Sequence, residues 1–125
     1  MNKGFLQQLH PVLPVHDVKK AIDFYVKKLN FTVAFADRVD HMTYAGITRD
    51  GVEIHLQLHN ITEWELTVER PMLRFLVNDI EALFEEYKTQ NVFHKNTDLR
   101  KTPWGTEEFA FYDPFKNGLT FYRDL

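Results

Sequence analysis

Apolar residues in the first part of the chain change from alternating to helical spacing. Residues 9–15 alternate, with Leu13 and Val15 on one face, which predicts a strand whose two prolines restrict its pairing. Asp17 is suited to cap a helix. The stretch 18–29 then places apolar residues on one side of a helix, at Val18, Ala21, Ile22, Tyr25 and Leu29. The pattern therefore predicts a strand followed by an amphipathic helix.

Alternation resumes after this helix and predicts three further strands, at residues 31–36, 42–49 and 52–59. Asp50-Gly51 separates the last two and is a strong signal for a hairpin turn. The third of these strands has one apolar face, formed by Ile54, Leu56 and Leu58. Its other face is polar and carries Glu53, His55, Gln57 and His59. The polar stretch 60–71 is expected to be a linker.

The same order of elements then returns at an offset of 62 residues. A strand at 72–77 is followed by Asn78-Asp79 and a helix with apolar positions at Ile80, Leu83, Phe84 and Tyr87. Strands are expected at 92–96, 107–112 and 119–123. We predict an α+β fold of two βαβββ modules in tandem within one domain over 1–125: module 1 at 9–59 and module 2 at 72–124.

Composition narrows the classes of protein that are compatible with this pattern. Of 125 residues, 44% are hydrophobic and 14% aromatic, too many for intrinsic disorder. The absence of cysteine excludes disulfides and thiolate chemistry. With a net charge of −3 and no basic block, we expect no nucleic-acid partner. No long apolar run or signal peptide is evident, so we expect a cytoplasmic protein without a membrane partner.

The sheet faces opposite the predicted core carry the candidate chemistry. Leu13, Ile54, Leu56, Phe75, Val77, Leu119 and Phe121 are expected to pack under the helices. The opposite set mixes polar and apolar side chains and consists of His10, Val12, His55, Gln57, Met72, Arg74, Thr120 and Tyr122. A concave surface of this composition is typical of small-molecule sites, although a solvated sheet face alternates in the same way.

Four aromatic residues outside the helix faces are candidates for closing such a pocket: Phe35, Tyr44, Trp64 and Trp104. Flat rings bind planar or cationic ligands by stacking and cation–π attraction. The alternative is that these rings fill a dimer interface or the interior of loops. No phosphate loop or nucleophile motif accompanies them.

The chain resembles the glyoxalase/bleomycin resistance/dioxygenase superfamily, which has the vicinal oxygen chelate fold. The resemblance rests on Val-His-Asp-Val at 15–18, on residues 21–25, on Leu-Asn-Phe at 29–31 and on Phe-Tyr-Asp-Pro at 111–114. Segments 35–38, 44–49, 78–87 and 103–110 are most similar to bleomycin resistance proteins. That resemblance implies mixed sheets curved around a concave groove, helices on the convex side, and a homodimer that shares its ligand groove.

The resemblance also identifies where metal-using members of the superfamily place their ligands. The matching positions here are His10, His55, Met72 and Thr120. Met is a poor ligand for a hard dication and Thr is a weak one, so only His10 and His55 are candidates. Glu53 or Glu108 is a conceivable additional carboxylate. We therefore expect no cofactor, with a divalent metal as the alternative.

These observations favour a metal-free protein that sequesters a drug-like or aromatic molecule in a dimer groove. The expected binding residues are His10, Phe35, Tyr44, His55, Gln57, Trp64, Arg74, Trp104, Thr120 and Tyr122. One alternative is a metal-dependent lyase, dioxygenase or thiol transferase that uses His10 and His55. Another is a protein without a small ligand, whose groove is filled by its own side chains or by a partner.

Overall fold

The computed structural model describes residues 3–60 and 70–125. Their secondary structure runs β1 (Val12–Val15), α1 (Val18–Leu29), β2 (Thr32–Ala36), β3 (Tyr44–Arg49), β4 (Val52–Leu58), β5 (Met72–Leu76), α2 (Ile80–Lys88), β6 (Arg100–Lys101), β7 (Thr106–Tyr112) and β8 (Gly118–Asp124). The predicted α+β fold with tandem βαβββ modules is confirmed. Trp64 lies outside the described residues.

Both helices begin where the sequence predicts. The Asp17 carboxylate accepts a hydrogen bond from the Lys20 backbone N–H at 3.0 Å, and Asp79 caps α2 through Ala82 N–H at 3.1 Å. Asn30 ends α1 in the left-handed conformation with φ of 67°, which asparagine tolerates better than most residues. The same local signals therefore define the start of the helix in each module.

Each module forms its own four-stranded mixed sheet. The strand orders are β1-β4-β3-β2 and β5-β8-β7-β6. In both sheets the first and last strands of the module pair in parallel, with Val12 opposite His55 and Arg74 opposite Thr120. The remaining pairs are antiparallel. This register brings the polar residues of the first and last strands onto one face of each sheet.

The predicted strand at 92–96 is wrong. Backbone groups there bond within a turn, because Thr97 N–H donates to the His94 carbonyl and His94 N–H donates to the Thr97 hydroxyl. These local partners replace the hydrogen bonds of a sheet ladder. The second strand of module 2 is instead the short β6, which begins only at Arg100.

The core lies between the sheets and helices and draws on both modules. Of the predicted core residues, Leu13, Ile54, Leu56, Leu119 and Phe121 are buried. Phe75 and Val77 are only partly buried, although they pack against the same cluster.

Among the described residues, two sets of side-chain contacts join the modules. At the Tyr25 interface, Tyr25 OH donates to Asp113 at 2.7 Å, and the side-chain amide of Asn117 donates to the Pro14 carbonyl at 3.0 Å. At the Tyr87 interface, Tyr87 OH donates to the Leu29 carbonyl at 2.9 Å, and Arg49 pairs with Glu86. Tyr25 and Tyr87 occupy matching positions in the repeat, so the modules pack around an approximate two-fold relation.

Candidate functional site

Histidine 55 is the centre of a hydrogen-bonded group on the outer face of the first sheet. It lies in the middle of β4, where the alternation points it away from the core. The hydroxyl of Tyr44 and His55 Nδ1 share a hydrogen bond of 2.7 Å. On the other side of the ring, His55 Nε2 is 2.7 Å from Glu53 Oε2. Both ring nitrogens are therefore engaged, which fixes the orientation of the imidazole.

The second histidine of this group, His10, comes from the segment just before β1. Its ring stacks on that of His55 with centroids 4.7 Å apart, and its Nε2 is 3.5 Å from Glu53 Oε2. His10 Nδ1 is buried and has no hydrogen-bond partner among residues 3–60 and 70–125. One oxygen of Glu53 thus faces the imidazoles of His10 and His55. The other ring nitrogen of His10, Nδ1, has no hydrogen-bond partner among these residues.

Phe35 forms an aromatic wall next to this group because position 46 is glycine. A Cβ on Gly46 would lie only 2.3 Å from Cε1 of Phe35, so any larger residue would displace the ring. From this place Phe35 meets His55 edge-on at 5.2 Å and lies parallel to Tyr44 at 6.1 Å. We call His10, Phe35, Tyr44, Glu53 and His55 the module 1 face.

The second sheet carries a different polar group. Arg74 forms an ion pair with Glu108 at 3.0 Å, and its guanidinium lies over the Tyr122 ring, 4.4 Å from the centroid. Burial raises the pKa of Glu108, but hydrogen bonds from Arg74 and Thr106 outweigh it and hold that pKa below its ordinary value. Glu108 is therefore ionised at neutral pH, as the ion pair requires.

Two further residues of module 2, Met72 and Thr120, form a hydrogen bond with each other. The Thr120 hydroxyl donates to Met72 Sδ at 3.2 Å, and the Met72 side chain lies where a Cβ on Gly118 would be. We call Met72, Arg74, Glu108, Thr120 and Tyr122 the module 2 face. Each face is held by contacts within its own module.

Expected binding residues therefore fall into two groups. His10, Phe35, Tyr44 and His55 meet on the first sheet, and Arg74, Thr120 and Tyr122 share the second. Gln57 is exposed and pairs in register with Tyr44 across β3 and β4. Trp104 is 66% exposed and lies in the turn before β7. Trp64 lies outside the described residues.

The set of expected binding residues omitted two carboxylates that organise these faces, Glu53 and Glu108. Sequence reasoning considered both only as conceivable metal ligands. The signal was present for Glu53, because alternation along β4 places it on the same face as His55. For Glu108 the corresponding signal was its position opposite Tyr122 in the pairing of β7 with β8, which only the structure supplies.

A metal ion at the four positions of the metal-using relatives does not fit these residues. Met72 and Thr120 bond to each other, and neither is a ligand that a hard dication prefers. Module 1 alone offers three possible ligands, His10, Glu53 and His55, whose ligating atoms lie within 4.8 Å of one another. Binding a metal through His10 Nε2 would place the ring proton on Nδ1, the atom without a partner, whereas metal-ligating histidines normally donate from that position.

The two βαβββ modules, each with polar and aromatic side chains outside its sheet, define a class of two-module α+β proteins. The family model described as "Glyoxalase/Bleomycin resistance protein/Dioxygenase superfamily" matches residues 7–121. The chain belongs to that superfamily. Within residues 3–60 and 70–125, neither helix is long and apolar enough to cross a membrane.

Individual relatives agree with this assignment. A bleomycin resistance protein of Geobacillus stearothermophilus is 30% identical over 92% of this chain and 95% of its own. The bleomycin-binding protein of Streptomyces verticillus, solved with copper(II)-bleomycin, is 26% identical with a TM-score of 0.74 over 94% of this chain and 97% of its own. A glyoxalase-related enzyme of Clostridium phytofermentans superposes with a TM-score of 0.78 over 100% of both chains at 16% identity, which shows the fold alone.

Proposed function

We propose that this protein binds a drug-like or aromatic molecule of the bleomycin type and acts by sequestering it. The module faces would form the binding surface, in a groove completed by a second copy of the chain. Similarity to bleomycin resistance proteins, and to a bleomycin-binding protein solved with its drug, supports drug binding of this type.

The observation that carries the proposal is that both faces combine fixed polar groups with accessible rings. On the module 1 face, Phe35 and Tyr44 flank the hydrogen-bonded His55. On the module 2 face, Tyr122 lies beneath Arg74, whose guanidinium is itself paired. Rings supply stacking area and the polar groups supply orientation, which is how small-molecule sites combine affinity with specificity.

Exposed apolar side chains support the homodimer. Phe35 is 41% exposed, Met72 is 52% exposed and Trp104 is 66% exposed. The segment before β1 adds Phe5 and Leu6, which are 78% and 104% exposed. Apolar side chains that form a large contiguous patch mark interaction sites, and in this proposal these side chains belong to such a patch. A second copy covering it would also bring further side chains to each face.

The metal-free state is part of the proposal. Its support is the pairing of Thr120 with Met72, together with the unpartnered His10 Nδ1, which suits an imidazole that carries its proton on Nε2 and faces Glu53. In that state the carboxylate accepts a hydrogen bond from His55 Nε2, faces His10 Nε2 at 3.5 Å and needs no cation.

The second candidate function is that of a metal-dependent enzyme of the same superfamily. It is favoured by the convergence of His10, Glu53 and His55, two imidazoles and a carboxylate within 4.8 Å. Such a set is the facial triad used by non-haem iron proteins. A metal held there would polarise an oxygen of the substrate, while Tyr44 would orient His55 from behind.

Titration calorimetry with metal-free and copper(II)-loaded bleomycin tests the first function. We expect saturable binding and, in sedimentation velocity, a dimer. Phe35→Leu should weaken binding about 3–10-fold, because a ring contact is worth about 0.5–1.5 kcal/mol beyond its area. Phe93→Leu makes the same change at a partly buried ring that packs against the core and belongs to neither face, and it should leave affinity unchanged. Equal affinities of both variants, or no heat with either drug form, would exclude the proposed site.

Metal content separates the two candidates. We expect protein purified without chelators to contain no stoichiometric transition metal by plasma mass spectrometry. Stoichiometric metal that disappears in Glu53→Gln but persists in Glu85→Gln would establish the second candidate instead. Glu85 is exposed on α2, so the control removes the same charge far from the histidines.

A further inference from the structure

A cavity of about 540 Å³ lies at the Tyr87 interface and not on either module face. It opens between the β3–β4 turn of module 1 and the β5–α2 region of module 2. Its lining shares no residue with the two faces or with the set of expected binding residues. A site here would therefore be separate from the proposed groove.

The internal repeat shows what corresponds to this cavity at the Tyr25 interface. At the Tyr25 interface, the 113–117 turn contacts Pro14, His16 and Tyr25 of module 1. The offset of 62 residues converts these into Leu76, Asn78 and Tyr87. All three line the cavity. The cavity thus occupies the place that the turn fills at the Tyr25 interface.

Turn length explains why one place is filled and the other is open. Between β7 and β8 the chain has five residues, and Phe115 at their centre is 1% exposed and packs against His16. Between β3 and β4 it has only Asp50 and Gly51. Gly51 adopts a φ of 80° and has no side chain that reaches inward. The cavity is therefore the counterpart of the Phe115 pocket without its ring.

The cavity is lined by apolar side chains on its walls and by charged side chains at its rim. Phe75, Val77, Leu83 and Phe121 supply apolar wall, whereas Asp50, Asp79 and Glu86 carry the carboxylates of the lining. Among the described residues, Arg49 is the one cation of the lining. Glu86 pairs with it through both oxygens, at 2.7 and 3.0 Å, and one oxygen of Asp50 accepts from its Nε at 3.2 Å. Three carboxylates against one guanidinium leave a formal charge of −2, which favours a cation at the rim.

We propose that this cavity is a second binding site, for an aromatic amine. The ring would lie against the apolar wall, as the Phe115 ring does at the Tyr25 interface. The ammonium group would lie at the rim near Asp50 and Asp79. A volume of about 540 Å³ is in the ordinary range of small-molecule sites and leaves space for more than the ring.

The probe for this site is 2-phenylethylamine, followed through backbone amide NMR shifts. We expect saturable shifts that cluster at Leu76, Asn78 and the first turn of α2. Phenylacetate keeps the ring and reverses the charge, and butylamine keeps the charge and removes the ring. Each should bind at least 10-fold more weakly. Equal affinities for the three compounds, or shifts confined to the module faces, would overturn the proposal.

Replacing Asp50-Gly51 with the five-residue sequence Asp-Pro-Phe-Lys-Asn of the other turn should fill the cavity and abolish the shifts. The same insertion with serine in place of its phenylalanine is the matched control and should retain them. If the inserted turns prevent folding, Phe115→Ala provides the reverse test. It opens the counterpart pocket and should raise the stoichiometry from one probe to two, since apolar cavities created in this way bind aromatic molecules.

A second copy of the chain is the competing occupant. If the amine produces no shifts, and the insertion with phenylalanine dissociates a dimer in sedimentation velocity while the serine insertion does not, the proposal is wrong. Drug titration at the module faces is measured separately, so its failure would leave this result unaffected.

Discussion

The Tyr25 and Tyr87 interfaces place the same side chain at the same point of the repeat and use it in opposite ways. Tyr25 donates to the carboxylate of Asp113, so burial and the neighbouring negative charge both raise its pKa well above the usual value. Burial also raises the pKa of Tyr87, to about 12, but the guanidinium of Arg49 opposes the shift. The two contacts therefore differ in charge, through Asp113 at one and Arg49 at the other, and in the length of the adjoining turn, which differs by three residues.

The largest expected loss of stability comes from removing the Phe115 ring at the Tyr25 interface. Phe115→Ala should lower the free energy of unfolding by about 3–5 kcal/mol, because it removes a buried ring and leaves a cavity. Urea denaturation followed by circular dichroism measures this. Phe115→Leu retains most of the volume and should cost less than about 1.5 kcal/mol. Equal losses in the two variants would show that the ring does not hold the Tyr25 interface together.

A smaller loss of unfolding free energy is expected at the Tyr87 interface, which contains the Arg49–Glu86 ion pair. Arg49 donates to Glu86, to the Leu29 carbonyl and to Tyr87, so Arg49→Met should cost about 1–2 kcal/mol. Lys19→Met is the control, because the exposed Lys19 pairs with Asp23 within α1. It should cost no more than about 1 kcal/mol, as surface ion pairs do. The same denaturation measurement decides whether the pair between modules is the stronger one.

The smallest effect distinguishes the two tyrosines by pH. A phenol with a raised folded-state pKa binds its proton more tightly when folded, so its stabilisation is present below pH about 10 and is lost as pH rises through the folded pKa. Tyr25→Phe should cost about 1 kcal/mol at neutral pH and reduce the loss of stability in alkali. Tyr87→Phe should reduce it less, because Arg49 partly offsets the shift. Unfolding curves across the alkaline range would contradict this if both variants kept the parental slope.

Much of the fold follows from local pattern. The caps at Asp17 and Asp79, the helix faces and the Asp50-Gly51 turn are properties of short segments, and the repeat then relates one module to the other. The strand expected at 92–96 failed because the Thr97 side chain and the His94 carbonyl satisfy the backbone locally. Alternation alone does not report such competition.

The sequence also predicted part of the candidate site, namely the part that depends on local pattern. Alternation placed His55 and Glu53 on one face of a strand, but the stacking of His10 on His55 depends on how the segment before β1 approaches. The hydrogen bond between Thr120 and Met72 likewise depends on side-chain conformation. The unequal turns were visible in the sequence. Their consequence was not, because it required knowing which residues of the other module each turn meets.

The pairing of first and last strands within each module has a consequence for motion. Each sheet takes all its strands from one half of the chain, so side chains carry the contacts at the Tyr25 and Tyr87 interfaces. Opening one interface would break hydrogen bonds of side chains and leave both sheet ladders intact. The modules are therefore natural units of cooperative opening.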